Sequence, residues 1–547
     1  MKKVLTSAVS VALAASMLVG CGGSSDSGSS STMRVALGGD INTLDPAKVD
    51  ASIDANILAE MYEGLYKLDS DGNTAAVLAE DMPEISDDGL TYTIKIKEGA
   101  KWSDGQAVTA NDFVYAWKRA AAIGTADAYY SMFITKYISG AIDGAGDPDA
   151  FNNMTDFGAV ALDDNTIQIT LSKRVPYFTA LLVSNVFYPV REDVVGSDPL
   201  DDSWAKGTNY ATNGAFTATS VDYQAGVTLA KSTEYYLADE VKLDGIEYTI
   251  MTDADSEVSA FQSDQIDIAT LVNAETVYAD DDLSAQAYTI DPFVCNYYLL
   301  LNCGDENDES TEGLKALKDV DIRHAISWAI NRDEVATASG YGEAAYALYG
   351  YVPSGIPGAN GDFREETGDE TKYDVEAAKE IMESKGYSAD NMLTIEYKYN
   401  DTAMHKSIAQ VLQANLKEIY IDLKCTSTEK STFFDARDAG DGEMFRHAMS
   451  ADYFDPMTYL EMLYGADTAG NLTDDDTYES MIDAANAETD SAARLEKLGE
   501  AERYLVEEQA YIVPLIGYAD PMLVKSNIKG MVCSPEGHYD LTRAYFE

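Results

Sequence analysis

The chain has 547 residues, 46% of them hydrophobic, and its 94 acidic against 38 basic residues give a formal net charge of −56. That balance excludes nucleic acid and anionic lipid headgroups as natural partners, since both would be repelled. The acidity is read as solubility outside the cell rather than as a preference for cationic ligands.

From the N-terminus, Lys2 and Lys3 precede an apolar run, Val4 to Val19, interrupted only by Thr and Ser, the pattern of a secretory signal. It closes on Leu18-Val19-Gly20-Cys21, which resembles a lipobox, so residues 1–20 are expected to be a lipoprotein signal peptide and Cys21 the lipidated first residue of the mature chain. The alternatives are an ordinary signal peptide, which leaves Cys21 a spare thiol, and a membrane-spanning anchor, for which the run is short of about 20 residues. Residues 21–33 begin with Cys21 and a Gly/Ser-rich stretch that cannot bury apolar surface and reads as a flexible tether. Ten such residues reach roughly 15 to 20 Å, enough to hold a globular body clear of a bilayer. The remaining chain is long enough for a large core and more than one domain.

Strand-like alternation follows at Thr91 to Ile96, Thr166 to Leu171 and Ile246 to Ile250. Between the first two, Thr109 and Asp112 have the spacing of a capping box, and Phe113, Ala116 and Trp117 give the helix behind it one apolar face. Further helices are expected at Asp321 to Ile330, Val375 to Lys385, Thr402 to Ile419 and Arg494 to Glu508. Asp71-Gly72, Asp104-Gly105 and Asn213-Gly214 mark turns. Mixed elements without repeats imply an α/β or α+β body.

Four cysteines remain, Cys295, Cys303, Cys425 and Cys533. If Cys295 to Cys303 forms one straight strand, those two stand roughly 26 Å apart and cannot pair, leaving Cys425 or Cys533 as the partner in any disulfide. Neither the cysteines nor His324, His405, His447 and His538 have the spacing of a zinc site, and GxxxxGK[ST], HExxH and GxSxG are all missing. No metal, cofactor or catalytic residue is called for.

The stretch Trp102-Ser103-Asp104-Gly105-Gln106-Ala107-Val108-Thr109-Ala110-Asn111-Asp112-Phe113-Val114-Tyr115-Ala116-Trp117 resembles the signature region of the family 5 solute-binding proteins, the peptide receptors of ABC importers. Thr43-Leu44-Asp45-Pro46, Glu63-Gly64-Leu65 and Asp87-Asp88-Gly89-Leu90-Thr91-Tyr92 resemble its opening. Val175-Pro176-Tyr177-Phe178, Thr212-Asn213-Gly214, Asp321-Ile322-Arg323-His324-Ala325 and Ile330-Asn331-Arg332 continue it in order. The likeness implies an α/β fold of the type II (cluster C) periplasmic-binding-protein class, with mixed sheets, two lobes around a hinge-closing cleft and an extra inserted domain. The implied partition is residues 34–62, 192–294 and 519–547 for lobe I, 63–191 for the extra domain and 295–518 for lobe II.

The resemblance also implies a site. In Ser450-Ala451-Asp452-Tyr453-Phe454-Asp455-Pro456, Asp452 matches the carboxylate that holds a ligand's α-amino group; on its own the motif reads as an Asx-stabilised turn. Tyr129 matches a tyrosine beside the peptide's amino end, and Ser52, Ala448 and Ser450 match backbone positions that extend the ligand as an added strand. Arg446, Arg437 and His405 match cations placed for the ligand's carboxylate, Arg446 suiting a short ligand best. Otherwise Arg437 reads as an ion pair and His405 as a polar residue near a helix start. Phe434 and Tyr518 match pocket walls, equally expected as core, and Tyr298 joins the substrate-binding set. Three positions depart: Lys430 replaces a tryptophan that lines a pocket, Leu300 replaces an acid, and Ser450 replaces a cysteine that would bridge to the residue matching Cys295. The implied function is an extracellular, lipid-anchored, monomeric oligopeptide receptor that serves a permease and its ATPase subunits without chemistry of its own. The alternatives are another ligand class (metal chelate, haem or oligosaccharide) and a peptide-sensing surface lipoprotein.

Overall fold

The structure, a computed structural model, describes residues 31–69, 72–145, 147, 149–208, 210–290, 293–303, 310–465, 472–473, 475–535 and 537–547. The signal segment, Cys21 and nearly all of the expected tether therefore lie outside the described residues.

Three of the expected strands form at Thr91–Lys95, Thr166–Thr170 and Gly245–Ile250. The first two pair antiparallel, Tyr92 against Ile169 and Ile94 against Ile167, in a four-stranded sheet whose buried face carries these four side chains. On this sheet packs the helix Ala110–Ile123, opened by the expected capping box: Asp112 accepts from the Thr109 N–H at 2.8 Å and from the Trp102 indole at 3.2 Å. Phe113, Ala116 and Trp117 are buried on its inner face, as their spacing requires.

Gly245–Ile250 belongs to a seven-stranded mixed sheet built from distant stretches. Thr32–Leu37 lies inside it, parallel to Gly245–Ile250 and to Ile268–Ala269, and Met522–Val524 returns antiparallel to Ile268–Ala269.

A six-stranded sheet runs in the order Ala345–Ala347, Ile512–Tyr518, Cys295–Leu301, Met444–Ser450, Leu393–Asn400, Ile421–Thr428. All seven residues of Cys295–Leu301 are buried, because both faces of this strand are covered. Tyr297, Leu299 and Leu301 meet the helices Val320–Ala329, Val375–Ser384 and Ala403–Glu418, while Tyr298 and Leu300 face Tyr351 and the remaining core. Full burial of Leu299 and Leu301 contributes about 1.5–3 kcal/mol each.

The expected helix Arg494 to Glu508 differs in form. An α-helix, Ser491–Arg503, passes into a π-turn, Tyr504–Glu508, whose wider winding lets the sequence neighbours Leu505 and Val506 both bury. The four described cysteines are free; Cys295 stands opposite Ser450 in the antiparallel register, so no disulfide joins it to Cys425 or Cys533.

Several residues of the recognisable motifs hold the frame. Arg119 of the Ala110–Ile123 helix forks onto Asp45 at 2.8 and 2.6 Å with both side chains fully buried. Arg494 does the same to Asp455, at 2.7 Å to each oxygen. Asn213 brackets Glu63, accepting from its N–H and donating to its carbonyl, and Gly214 lies so close beneath Met61 that a Cβ would stand 2.5 Å from the Met61 carbonyl carbon. Arg332 spends its guanidinium on carbonyls, among them those of Leu348 and Pro514.

Candidate functional site

The sheets leave between them a cavity of about 610 Å³. One wall is the end of the six-stranded sheet, where Ser450, Cys295 and Tyr518 stand on three adjacent strands. Ser52, the first residue of the helix Ser52–Met61, lines it from the side of the seven-stranded sheet, and Tyr130 lines it from the segment that precedes the four-stranded sheet's second half.

Asp452 projects into this cavity two residues beyond Met444–Ser450. The turn that places it is fixed by the Ala451 N–H on the Val294 carbonyl at 3.1 Å and by the Asp452 N–H on the Thr458 hydroxyl at 3.1 Å. Its Oδ1 accepts from the Tyr130 hydroxyl at 3.1 Å, and among the described residues no cation forms an ion pair with it. Burial raises its pKa above the ordinary aspartate value, opposed by the Tyr130 hydrogen bond and the charge of Lys136. A carboxylate in this state gains from a cation that enters the cavity.

Tyr129, the tyrosine singled out in the sequence, is 51% exposed and does not line the cavity; it packs edge-on against Tyr130, ring centroids 5.1 Å apart. Both belong to the 3₁₀ turn Tyr129–Ser131, in which successive side chains point about 120° apart; Tyr130 hydrogen-bonds to Asp452, while burial and then the Asp452 charge raise the pKa of Tyr129. The hydroxyl that reaches Asp452 is that of the next residue, which the sequence analysis missed.

Ser450 is exposed at its strand end, and Ala448, half-buried, stands two residues before it. Met444–Ser450 pairs along its whole length with Cys295–Leu301, but Leu393–Asn400 pairs only with Met444 and Phe445. From Arg446 onward, that second edge of the strand carries no partner strand among the described residues. Ala448 and Ser450, two residues apart, present their backbone groups to the same edge. Tyr518 lies against Tyr341, with the Cys295 thiol beside it, and burial pushes that thiol up to about 11.

The other expected residues gather elsewhere. Arg446, Arg437, His405, Tyr298, Lys430, Phe434 and Ala448 do not line the cavity. Arg446 is buried, donates from Nε to Asn400 Oδ1 at 2.8 Å, and lies over the rings of Phe433 and Phe434. It has no carboxylate partner among the described residues, and burial lowers its pKa. Arg437 reaches His447 Nε2 at 2.8 Å and pairs with Asp438. His405 meets the Tyr297 hydroxyl at 3.2 Å, and burial, helped by the charge of Arg446, holds it down at about 4. Tyr298 is core: its ring stacks on His447 and its hydroxyl accepts from Tyr351. Lys430 begins the helix Lys430–Asp438 and is exposed. His447 is pushed down to about 3 by burial and by Arg437 and Arg446.

No helix among the described residues is long and apolar enough to cross a membrane, and none of their His, Cys, Asp and Glu side chains cluster as a metal site would. The sequence profile of the bacterial extracellular solute-binding proteins, family 5, matches residues 73–471. The periplasmic oligopeptide-binding protein OppA of Escherichia coli (strain K12) is 30% identical over 499 residues, 90% of this chain and 88% of that protein. Among solved structures, the substrate-binding domain of an oligopeptide ABC transporter from Bacillus anthracis str. Ames is 27% identical with a TM-score of 0.70, covering 95% of this chain and 99% of that one. OppA of Listeria monocytogenes bound to peptide is 26% identical with a TM-score of 0.68 and the same coverage.

Proposed function

The chain belongs to the bacterial extracellular solute-binding proteins of family 5, and from that membership we propose that it captures peptides in the cavity beside Asp452 and hands them to an ABC importer. The fold is the mixed-sheet, type II periplasmic-binding-protein arrangement. The observation that carries the ligand class is a half-buried carboxylate, Asp452, that faces the cavity with the Tyr130 hydroxyl as its partner and, among the described residues, no cation in an ion pair with it. A peptide's α-ammonium supplies what is missing, and the open edge from Arg446 to Ser450 offers its backbone a strand to pair with. Arg446 stands four residues from Ser450, roughly 13 Å along a strand, so an extended peptide of about four residues on that edge would end beside Arg446, whose guanidinium, held on Asn400, has no carboxylate partner among the described residues.

In this reading the seven-stranded sheet is lobe I, the six-stranded sheet lobe II and the four-stranded sheet the extra domain, and the lobes close on the ligand by a hinge motion. No bond is made or broken. The protein acts as a monomer, held to the outer face of the cell membrane by lipid on Cys21, and Cys21→Ala should release it into the medium.

Titration calorimetry with a free tetrapeptide and its N-acetylated counterpart tests the central claim. The free peptide should bind at least tenfold tighter. Equal affinities would remove Asp452 from the amino-end role and, with it, the general peptide reading.

A further inference from the structure

Of the other carboxylates on the cavity wall, one mirrors Asp452. Ile512–Tyr518 and Met444–Ser450 flank Cys295–Leu301 on its two sides, and both run antiparallel to it. They are therefore parallel to one another and leave the sheet at the same end. Each is followed by an Ala-Asp pair, Ala451-Asp452 after one and Ala519-Asp520 after the other, and both acids line the cavity. Two strand spacings separate them, roughly 10 Å.

Asp520 resembles Asp452 in its company as well as its position. Its one hydrogen-bond donor among the described residues is the Tyr341 hydroxyl, at 2.7 Å, and no cation forms an ion pair with it. The Lys and Arg side chains that line the cavity are already engaged: Lys67 holds Asp540 at 2.9 Å and Arg543 holds Glu240 at 2.7 Å. Asp520 is exposed to solvent at the cavity wall, and desolvation by the surrounding protein still raises its pKa, opposed by the Tyr341 hydrogen bond. One ligand ammonium offsets one of these two negative groups and leaves the other, Asp520, exposed to the cavity without a cation partner among the described residues.

Resting on the reading of Asp452 as the ammonium site, we propose that Asp520 is a second charged subsite that selects a basic side chain, arginine or lysine, on the ligand's first residue. With the α-ammonium at Asp452, the aliphatic stem of such a side chain crosses the Cys295 strand end, and its cationic head meets Asp520; a guanidinium takes a carboxylate with two parallel hydrogen bonds. A cation on the second residue points to the other side of an extended ligand and misses this subsite. The acid surplus that the sequence suggested was solubility alone thus has at least one member with a binding role.

The test is calorimetry with Arg-Ala-Ala, citrulline-Ala-Ala and Ala-Arg-Ala. Citrulline keeps the length and shape of arginine without its charge. The unaltered protein should bind Arg-Ala-Ala at least tenfold tighter than citrulline-Ala-Ala, with no such gain for Ala-Arg-Ala. Asp520→Asn should abolish the tenfold preference and leave citrulline-Ala-Ala within about twofold. If the unaltered protein binds all three equally, the subsite is wrong while the peptide reading stands. A preference that survives in Asp520→Asn would also overturn it. Failure of every peptide to bind would bring down both readings together.

Discussion

The Tyr130 hydroxyl and the Asp452 carboxylate meet at 3.1 Å across the join between two sheets, so this cavity acid is positioned by a side chain from a separate part of the chain. Replacing Asp452 with Asn should weaken binding of a free tetrapeptide by about 2 to 5 kcal/mol, the range for losing one partner of a desolvated charge pair. Tyr130→Phe should cost about 1.5 kcal/mol, the low end for a hydrogen bond to a charged group. Tyr129→Phe should cost nothing measurable. A calorimetric series in which Tyr129→Phe hurts and Tyr130→Phe does not would reverse the assignment.

The buried fork of Arg119 on Asp45 ties the opening segment to the Ala110–Ile123 helix. Arg119→Met leaves Asp45 charged and unpaired where no solvent reaches, and urea unfolding should report a loss of about 3 to 5 kcal/mol. Replacing both residues with apolar ones of similar size should recover most of it. The pair lies away from the cavity, so peptide affinity of the folded Arg119→Met protein should stay within a factor of two.

Acid should loosen the six-stranded sheet through two histidines. His405 and His447 are held at about 4 and about 3, well below the ordinary imidazole value near 6.5 that the unfolded chain restores. A depressed folded pKa means that the unfolded chain binds the extra proton. The stability these groups contribute is therefore complete above about 6.5 and drains away as the pH falls through about 4 and 3. His447→Gln, which still offers Arg437 an acceptor, should reduce the difference in unfolding free energy between pH 7 and pH 4 by about 2 to 3 kcal/mol. An unchanged difference would mean that His447 titrates as it does in water.

Cys295 and Ser450 face each other in an antiparallel register, a geometry whose Cα separation of about 4.5 to 5.5 Å suits a disulfide. Ser450→Cys should bridge to Cys295 under mild oxidation, lowering the free-thiol count by two relative to the reduced variant. Failure to oxidise would show that the two side chains diverge at the strand end.

The expected strands and helices were legible where one face is buried and the other wet, as at Thr91–Lys95 and Ala110–Ile123. Nothing in the pattern marked the full extent of Cys295–Leu301, because burial on both faces erases alternation. Asp452 was singled out only through the family resemblance, its motif alone reading as a turn, and the choice between Tyr129 and Tyr130 depends on the phase of a short 3₁₀ turn, which neighbouring identical residues cannot reveal. Asp520 was invisible for a different reason. An Ala-Asp pair after a strand becomes informative only when the strand order shows that it emerges two places from another one.

The seven-stranded sheet takes its interior strand from residues 32–37 and another from 522–524. A chain that is exported N-terminus first cannot complete that sheet until residues 522–524 have crossed. The seven-stranded sheet, and with it the frame that carries Ser52 to the cavity, therefore closes only once residues 522–524 are in place.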